Sequence, residues 1–148
     1  MESYWEMVDG MASEYHEYRK AVMERYSMTA IEVDVMLFLA NNPSFDTASD
    51  IVRARKISKS HVSLAVKGLM QRGYLAGIPD EADRKKIRLI PQAAAEEMIL
   101  YGQQLQQQFG ESLFEDFSEE EREIYIKLSE RMLENVRKKQ TERKGMKK

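Results

Sequence analysis

Two groups of cationic side chains stand near the middle of the sequence, and their chemistry suits the phosphates of a polyanion. The first group, Lys59 and Lys67, is interleaved with the small hydroxyls of Ser60 and Ser63. The second group comprises Arg84, Lys85, Lys86 and Arg88. Ammonium and guanidinium groups bind phosphate oxygens, and small hydroxyls permit close approach to a backbone or a base edge. These residues therefore point to a nucleic-acid interface.

The charge distribution supports this interpretation better than the total does. The formal net charge is -2 and the pI about 5.8, values that taken alone argue against a polyanion partner. Residues 53–88, however, carry ten Lys and Arg against three acidic residues, a net charge of +7. Residues 1–52 carry -7, residues 89–136 carry -8, and the segment from residue 137 carries +6. The basic segment, residues 53–88, is thus flanked by acidic arms that discourage nonspecific adsorption.

A helix must position the first cationic group. Ser58 is a good N-cap, the apolar Val62, Val66 and Leu69 form one stripe, and Gly73 ends the helix. The opposite face then carries the candidate DNA contacts Lys59, Ser60, Ser63, Leu64 and Lys67. Leu64 is suited to a thymine methyl group. His61, near the helix start, is either a donor to phosphate or base, or a surface histidine without a role.

A hairpin must position the second group. Residues 74–78 and 86–90 are predicted strands around the turn 79–85. Upstream, Thr29 with Glu32 and Thr47 with Asp50 form capping boxes for two helices, the second short. Together these elements predict a winged helix-turn-helix over residues 29–91, with a cationic wing tip.

The remaining sequence predicts long helices with apolar stripes. Residues 1–27 and 92–138 carry more apolar surface than one small winged unit buries, so we expect them to form a homodimer. A monomeric bundle that folds its ends back is the alternative. Residues 139–148 predict a frayed basic tail. The predicted fold class is a single mainly α domain with a β-hairpin wing and terminal dimerisation helices.

Several classes of function lack their residues. The chain has no cysteine, and His16 and His61 are far apart in sequence, so we expect no metal and no cofactor. No nucleophile with a base, phosphate loop or carboxylate pair in a recognisable pattern is present, so we expect no enzyme. No apolar run reaches about 18 residues and no signal peptide is evident, which predicts a cytoplasmic protein without membrane contact.

The wing carries the most specific pattern in the chain. Asp80, Asp83, Arg84 and Lys85 follow an Asp-x-x-Asp-Arg-basic order, after Gly73-Tyr74-Leu75 and before Leu89-Ile90-Pro91-Gln92. With the order of helices around it, nearly the whole chain resembles the MarR family of bacterial winged-helix transcription regulators. The sequence departs from the family at Gly77, where a basic residue is common, and at Ile90 and Ala93, where Thr and Gly are usual.

The resemblance implies a dimeric regulator, more often a repressor, that binds double-stranded DNA with a pseudo-palindromic site. Arg84 is expected in the minor groove, whose negative potential favours an arginine. Lys85, Lys86 and Arg88 are expected as backbone contacts, and Asp80 and Asp83 as residues that shape the wing. The alternative is a winged-helix interaction or antagonist module that does not bind DNA.

The resemblance also implies release from DNA by a small aromatic or anionic effector. In the family such compounds bind between the terminal helices and the winged unit. Met11, Tyr15, Tyr18 and Phe38 are the residues of this chain predicted to line that cleft. The same residue types suit a dimer core, which is the alternative for all four.

Overall fold

The computed structural model describes residues 1–147, which form helices and one small hairpin. The helices are α1 (Glu2–Tyr26), α2 (Ala30–Asn41), α3 (Ala48–Arg55), α4 (Lys59–Gln71), α5 (Glu96–Leu113) and α6 (Glu119–Met146). The antiparallel strands are β1 (Leu75–Pro79) and β2 (Ile87–Pro91), and a short 3-10 helix, Ala93–Ala95, precedes α5. This is the mainly α fold with a β-hairpin wing that the sequence predicts.

Side-chain caps fix where four helices begin. Thr29, Thr47 and Ser118 each accept a hydrogen bond from the backbone N–H three residues on, and the carboxylate at that position accepts from the cap's own N–H. Ser58 accepts from the backbone N–H of His61. These bonds satisfy N–H groups that the first helical turn leaves free, so local sequence determines these starts.

The chain reverses at the end of α4 through a glycine. Gly73 has φ of 74°, and its N–H donates to the carbonyl of Met70 at 3.0 Å while the N–H of Tyr74 donates to Leu69 at 2.9 Å. This is a Schellman motif, whose left-handed residue favours glycine. The strands that follow each begin and end one residue later than predicted, with Leu75 opposite Pro91 and Pro79 opposite Ile87.

The core surrounds α2. Five of its apolar side chains are buried, and they pack with buried residues of α1, α3, α4, both strands and α5. The fully buried members with the largest side chains are Val22, Val33, Val35, Met36, Ile51, Val62, Leu69 and Met98. Because α3 and α4 both pack on this core, α4 is held by its apolar face and its polar face is left in solvent.

One carboxylate lies inside this core. Asp34 of α2 is 8% exposed, and its Oδ2 accepts from Nη1 of Arg19 in α1 at 2.8 Å. Nη2 of Arg55, at the end of α3, lies 3.7 Å from the same oxygen. Nη2 of Arg19 also lies 2.7 Å from Nδ1 of His16. Three helices therefore share one buried charge, which must remain paired because desolvation of a lone carboxylate is costly.

Two features of the architecture concern the domain organisation. The sequence indicated one domain, and by its internal contacts the chain divides into two compact units, Met1–Phe109 and Gly110–Lys148. Helix α6 continues to Met146, so it includes residues 139–146 of the basic tail. Basic residues in its last turn, Arg143 and Lys144, face the negative end of the helix dipole, which stabilises that end. Lys148 lies outside the described residues. Over residues 1–147 no helix combines the length and apolarity that crossing a bilayer requires.

Asp34→Asn is expected to lower the free energy of unfolding by about 2 kcal/mol or more, because it leaves two arginines beside a neutral amide in the core. Urea unfolding followed by circular dichroism, at fixed protein concentration, measures this. The matched control is Glu17→Gln, which removes an exposed carboxylate 3.6 Å from Lys20 and should cost less than about 0.5 kcal/mol. Equal losses in the two variants would contradict the importance of the buried pair.

Candidate nucleic-acid interface

The outer face of α4 presents the side chains that the sequence singled out. Lys59, Ser60, Ser63, Leu64 and Lys67 are all exposed. Val62, Ala65 and Leu69 on the opposite face are buried. Leu64 is 70% exposed, although it lies between polar neighbours on a helix with a well-formed core face. An exposed leucine at such a place is available for an apolar contact with a partner.

His61 is tied to the start of its own helix. Its Nδ1 lies 2.8 Å from Oγ of Ser58, and its backbone N–H donates to the same oxygen at 3.3 Å. Ser58 is the N-cap of α4, so His61 supports the cap while its ring stays at the exposed helix start. The sequence suggested that His61 is either a DNA contact or a surface histidine without a role. Support of the cap is a third role, which was not predicted.

Two aspartates shape the wing turn. Oδ2 of Asp80 accepts from the backbone N–H groups of Ala82 and Asp83, at 3.2 and 3.0 Å. Oδ1 of Asp83 accepts from the N–H of Lys85 at 3.2 Å. Short aspartate side chains that accept from residues two or three positions on are typical of tight turns. The turn therefore has a defined shape and presents its tip to solvent.

Arg88 anchors the wing to the helix-turn-helix. Its Nε donates to Oδ1 of Asp80 at 2.6 Å, and its Nη1 donates to Oδ1 of Asp46 at 2.8 Å. Asp46 lies between α2 and α3, and its carbonyl accepts from the N–H of Leu89 at 2.7 Å. The hydrogen bond from Arg88 is the main reason that the pKa of Asp80 is lowered, and the same bond raises the pKa of Arg88. Arg88 is therefore paired within the protein, whereas the sequence suggested it as a contact to the DNA backbone.

The tip of the wing is different. Within the part of the chain that the structure describes, the side chains of Arg84, Lys85 and Lys86 have no ion pair and no hydrogen bond, and all three residues are exposed. The side chains of Lys59 and Lys67 on α4 are likewise unpaired over residues 1–147. Lys56, which follows α3, is also exposed and has no ion pair or side-chain hydrogen bond over the same residues. The five cations of α4 and the wing tip form the free cationic set.

Other cations of the basic segment serve the fold. Arg55 contacts Asp34, and Arg53 lies 3.3 Å from Asp50 within α3. Arg72, just after α4, donates to the carbonyls of Ser27 at 3.0 Å and Tyr26 at 2.5 Å, which close the end of α1. These structural roles were not predicted from the sequence. A signal was present for the buried ion pair, because Asp34 and Arg19 each interrupt an apolar stripe, which favours a pair between them.

The four residues expected to line an effector cleft are only partly brought together. Tyr15 and Phe38 line a cavity of about 90 Å³ between α1, α2, α3 and α5, together with Asp34, Leu37, Asn41, Asn42, Arg55 and Gln106. Tyr18 lines a smaller neighbouring cavity of about 10 Å³ with Tyr15. Met11 lines neither. The guanidinium of nearby Arg19 is already paired with Asp34 and His16. Gln106 Nε2 donates to the hydroxyl of Tyr15 at 3.0 Å.

Residues 26–86 match the family model of the MarR family, a range that begins at the end of α1 and includes the helix-turn-helix and the wing tip. The match covers less than half of the chain and shows that this segment is similar to the MarR family. No curated protein sequence matches the chain. The matched segment contains both the α4 face and the free tip of the wing.

Solved MarR-family structures share the fold over most of the chain. A MarR transcriptional regulator from Methanosarcina mazei Go1 is 20% identical, with a TM-score of 0.74 over 93% of this chain and 92% of that chain. A MarR family regulator from Listeria monocytogenes, complexed with 26mer DNA, is 14% identical, with a TM-score of 0.77 over 89% and 87%. BpsR from Bordetella bronchiseptica is 20% identical, with a TM-score of 0.64 over 86% and 90%. These likenesses show the fold of this chain.

Packing accounts for one departure from the MarR-family pattern. A Cβ atom at Gly77 would lie 2.7 Å from Cε of Met70 and 3.0 Å from Cγ2 of Ile87. Met70 of α4 therefore occupies the space that a longer side chain at this strand position would need. The base of the wing in this chain is packed with apolar groups at a position where a basic residue is common in the MarR family.

Of the other two departures, Ile90 lies in β2 and Ala93 begins the short 3-10 helix that follows. Gln92 is the N-cap of the short 3-10 helix Ala93–Ala95 and makes no side-chain cap bond. Its Nε2 donates back to the carbonyl of Ile90 at 2.8 Å, and its N–H donates to Tyr74 at 2.9 Å. The chain therefore enters α5 through a 3-10 turn, which is tighter than an α-helical turn and is held by the carbonyl of Tyr74, the residue before β1.

The Asp80–Arg88 pair predicts a pH dependence of the wing. Because the pKa of Asp80 is lowered, its ionised carboxylate stabilises the folded wing. This stabilisation is complete above the ordinary pKa of 3.8 and is lost as the pH falls through the lowered pKa. An NMR titration of the Asp80 carboxyl carbon should therefore show a midpoint below 3.8. In Arg88→Gln the midpoint should rise towards the ordinary value, and amide exchange at Ala82 should accelerate. An unchanged midpoint in that variant would contradict the anchoring role.

Proposed function

We propose that this protein is a dimeric regulator of the MarR type that binds pseudo-palindromic double-stranded DNA, with α4 in the major groove and the wing tip in the minor groove. The observation that carries the proposal is the free cationic set: Lys59, Lys67, Arg84, Lys85 and Lys86 are exposed, while the structure pairs the other arginines of the basic segment internally. Exposed, unpaired cations break no internal ion pair when they bind phosphates, and their binding releases the counterions condensed on the nucleic acid.

Helix α4 supplies base readout in this proposal. A helix of 13 residues fits the major groove, where its small hydroxyls, Ser60 and Ser63, allow close approach. Leu64 provides an apolar surface for a thymine methyl group, and Lys59 and Lys67 contact phosphates on either side. His61 contributes through the N-cap that it supports, with its exposed ring near the phosphates at the helix start.

The wing supplies the second contact. Arg84 enters the minor groove, and Lys85 and Lys86 contact the backbone. Arg88 sets the height and direction of the wing through Asp80 and Asp46, so it acts on DNA binding by position rather than by contact. The Listeria monocytogenes relative complexed with 26mer DNA supports this mode, because its fold matches over 89% of this chain.

Dimerisation and repression complete the proposal. Apolar side chains of α1 and α6 are exposed, Trp5 at 59% and Leu128 at 49% among them, and a second copy would remove them from water. Twofold symmetry would place two α4 helices about 34 Å apart, one turn of DNA. Occupation of a site that overlaps a promoter would make the protein a repressor.

Arg84→Ala is expected to weaken binding to an operator about tenfold or more, and to lower the slope of affinity against salt by about one phosphate contact. Sites selected from a random duplex pool supply the operator, and fluorescence anisotropy at several salt concentrations measures the affinity. The control is Arg25→Ala, which removes an exposed arginine of α1 paired with Glu97 at 3.4 Å and should leave affinity unchanged. A chain that binds no duplex at low salt would instead be a protein-interaction module.

We also propose that a small polar aromatic or anionic compound regulates DNA binding from the cavity between α1 and α2. The cavity joins an aromatic wall, Tyr15 and Phe38, to the guanidinium of Arg55 and the carboxylate of Asp34. Oδ1 of Asp34 is buried without a hydrogen-bond partner over residues 1–147, so it favours a ligand that donates there. The DNA binding of BpsR, a structural relative, is regulated by 6-hydroxynicotinic acid.

The size of this cavity makes effector binding a conformational event. At about 90 Å³ it holds about three water molecules, and typical ligand sites exceed about 300 Å³. An aromatic acid would therefore separate α1 from α2 and disturb the contacts of Asp34 with Arg19 and Arg55. Since Arg55 ends the first helix of the helix-turn-helix, ligand entry would move the DNA-binding elements.

A thermal-shift screen of small aromatic acids tests this second proposal. At a concentration one hundred times its Kd, an effector should stabilise the protein by about 2.7 kcal/mol and weaken its binding to DNA. Tyr15→Phe should reduce effector affinity about threefold to tenfold, because it removes a hydroxyl from the cavity wall. Tyr18→Phe, outside the larger cavity, is the matched control. A compound that binds equally to both variants would not occupy this site.

A further inference from the structure

Met70 packs at the joint between α4 and the wing. A Cβ atom at Gly77 would lie 2.7 Å from Cε of Met70 and 3.9 Å from its Sδ, so the thioether occupies the space over this part of β1. Cγ2 of Ile87 in β2 would lie 3.0 Å from the same Cβ, so both side chains lie over Gly77. One flexible side chain therefore connects the last turn of α4 with the two strands.

The part of the hairpin nearer the tip depends on this joint. Leu89 of β2 is 3% exposed and fixes the hairpin to the core. None of residues 78–88, which lead to the tip and back, is buried. A two-stranded sheet is not stable alone. This part of the wing is therefore held by the polar pairs of Arg88 and by the apolar cover that Met70 provides.

The side chain of Met70 is also accessible to small solutes. Met70 is half-buried and lines a groove of about 400 Å³ between α4 and β2. Val66 and Leu89 belong to the apolar lining of this groove, and Lys67 belongs to its polar lining. The groove is large enough for water and hydrogen peroxide, so an oxidant can reach the thioether from the side that faces the free cationic set.

Met70 is the one methionine of the winged segment that an oxidant can reach. The chain has ten methionines and no cysteine. Between Met36 and Met98 the sequence contains no methionine other than Met70. Met36 and Met98 are both 0% exposed, so packing protects them. Sulfur oxidation within this segment is thus confined to the joint between α4 and the wing.

We propose that Met70 is a site of reversible oxidation by hydrogen peroxide, and that its sulfoxide loosens the wing and weakens DNA binding. The proposal rests on the proposed function, because it names a regulation of the same interface. The sulfur attacks one peroxide oxygen, so an S–O bond forms while the O–O bond breaks. The departing hydroxide takes the proton of the transferred hydroxyl and leaves as water. The sulfur loses two electrons and the peroxide gains them.

The reverse step needs a reductant. Methionine sulfoxide reductases remove the oxygen as water while a dithiol is oxidised to a disulfide, which returns the thioether. The modification is therefore a switch that an oxidant sets and a thiol-dependent enzyme resets.

The sulfoxide oxygen is incompatible with the present packing. It is a polar acceptor, and Val66, Ile87 and Leu89 around the joint offer no side-chain donor. An unsatisfied acceptor is costly, so the oxidised side chain leaves Gly77 and turns into the groove, where the ammonium of Lys67 can donate to it. Both changes oppose DNA binding, because the wing loses its contact with α4 and a phosphate-binding cation gains a partner.

The alternative is that Met70 only fills space. Leucine has a similar volume and cannot form a sulfoxide, so Met70→Leu separates packing from sulfur chemistry. This variant should bind an operator within about twofold of the parent chain, since volume-conserving apolar substitutions cost little. It should keep that affinity after peroxide treatment.

Peroxide treatment of the full chain provides the main test. Fluorescence anisotropy measures operator affinity, and peptide mass spectrometry measures oxidation at each methionine. At a dose that converts most of Met70, the parent should lose affinity about tenfold, and a methionine sulfoxide reductase should restore it. The control Met146→Leu removes a methionine that is 87% exposed and should respond as the parent does.

Three results would overturn the inference. The first is a Met70 that stays reduced at doses that oxidise Met146. The second is a Met70 sulfoxide with unchanged operator affinity. The third is an equal loss of affinity in Met70→Leu, which would assign the effect to another methionine.

Amide hydrogen exchange reports on the wing without DNA. The N–H of Asp80 donates to the carbonyl of Lys86 at 2.8 Å, and the N–H of Lys86 donates to Asp83 at 2.9 Å. Both amides should exchange about fivefold faster in the oxidised parent, while those of α2 are unchanged. Met70→Gln, a polar substitute of similar length, should reproduce this without oxidant, with circular dichroism as the check of its fold.

The two readouts separate the two proposals. A reduced chain that binds no duplex would contradict the proposed DNA binding, while the exchange of Asp80 and Lys86 would still test the effect of Met70 oxidation on the wing. A reduced chain that binds its operator, with affinity and exchange both unaffected by the Met70 sulfoxide, would overturn this inference alone.

Discussion

The buried carboxylate of Asp34 is the constraint on which the arrangement of the helices depends. A charge inside the core must keep its partners, and here those partners come from α1 and α3. Apolar packing alone tolerates small sliding motions, whereas an ion pair in a low-dielectric interior permits only a few geometries. The first helix of the helix-turn-helix, α3, and the long N-terminal helix, α1, are therefore positioned by contacts with the same oxygen atom of α2. Arg72 adds a second link, from the end of α4 to the carbonyls that close α1.

The wing repeats this use of a shared charge at the surface. Arg88 joins two carboxylates that lie 34 residues apart in the sequence, Asp46 and Asp80, and thereby holds a two-stranded sheet that is too small to be stable alone. A count of charges along the sequence overstates the surface offered to DNA, because part of the cationic total neutralises aspartates of the same molecule. Internal pairing of Arg53, Arg55, Arg72 and Arg88 leaves the free cationic set and Lys56 as the unpaired cations of the basic segment.

What the sequence predicts well is local. Capping boxes, the glycine that ends α4 and the alternation of the strands involve neighbours within about five residues, so the helix starts and the hairpin follow from pattern alone. The pairing of Arg88 was not predicted because its partner Asp46 is distant in the chain, and no periodicity encodes such a pair. The helix over residues 139–146 was not predicted because a charge run without apolar residues has no helical signature. Asp34 and Arg19 were predictable, since each is a lone charge on an apolar stripe.

The unpaired tip of the wing has an evolutionary consequence. Arg84, Lys85 and Lys86 have no hydrogen bond or ion pair through their side chains over residues 1–147, and the turn below them is held by Asp80 and Asp83. Substitutions at the tip therefore carry little thermodynamic penalty, because most destabilising mutations act through buried or paired groups. Binding preference at this position can drift through single mutations while the native state persists. Arg88 lacks this freedom, because its replacement would break the pairs with Asp46 and Asp80 that hold the wing.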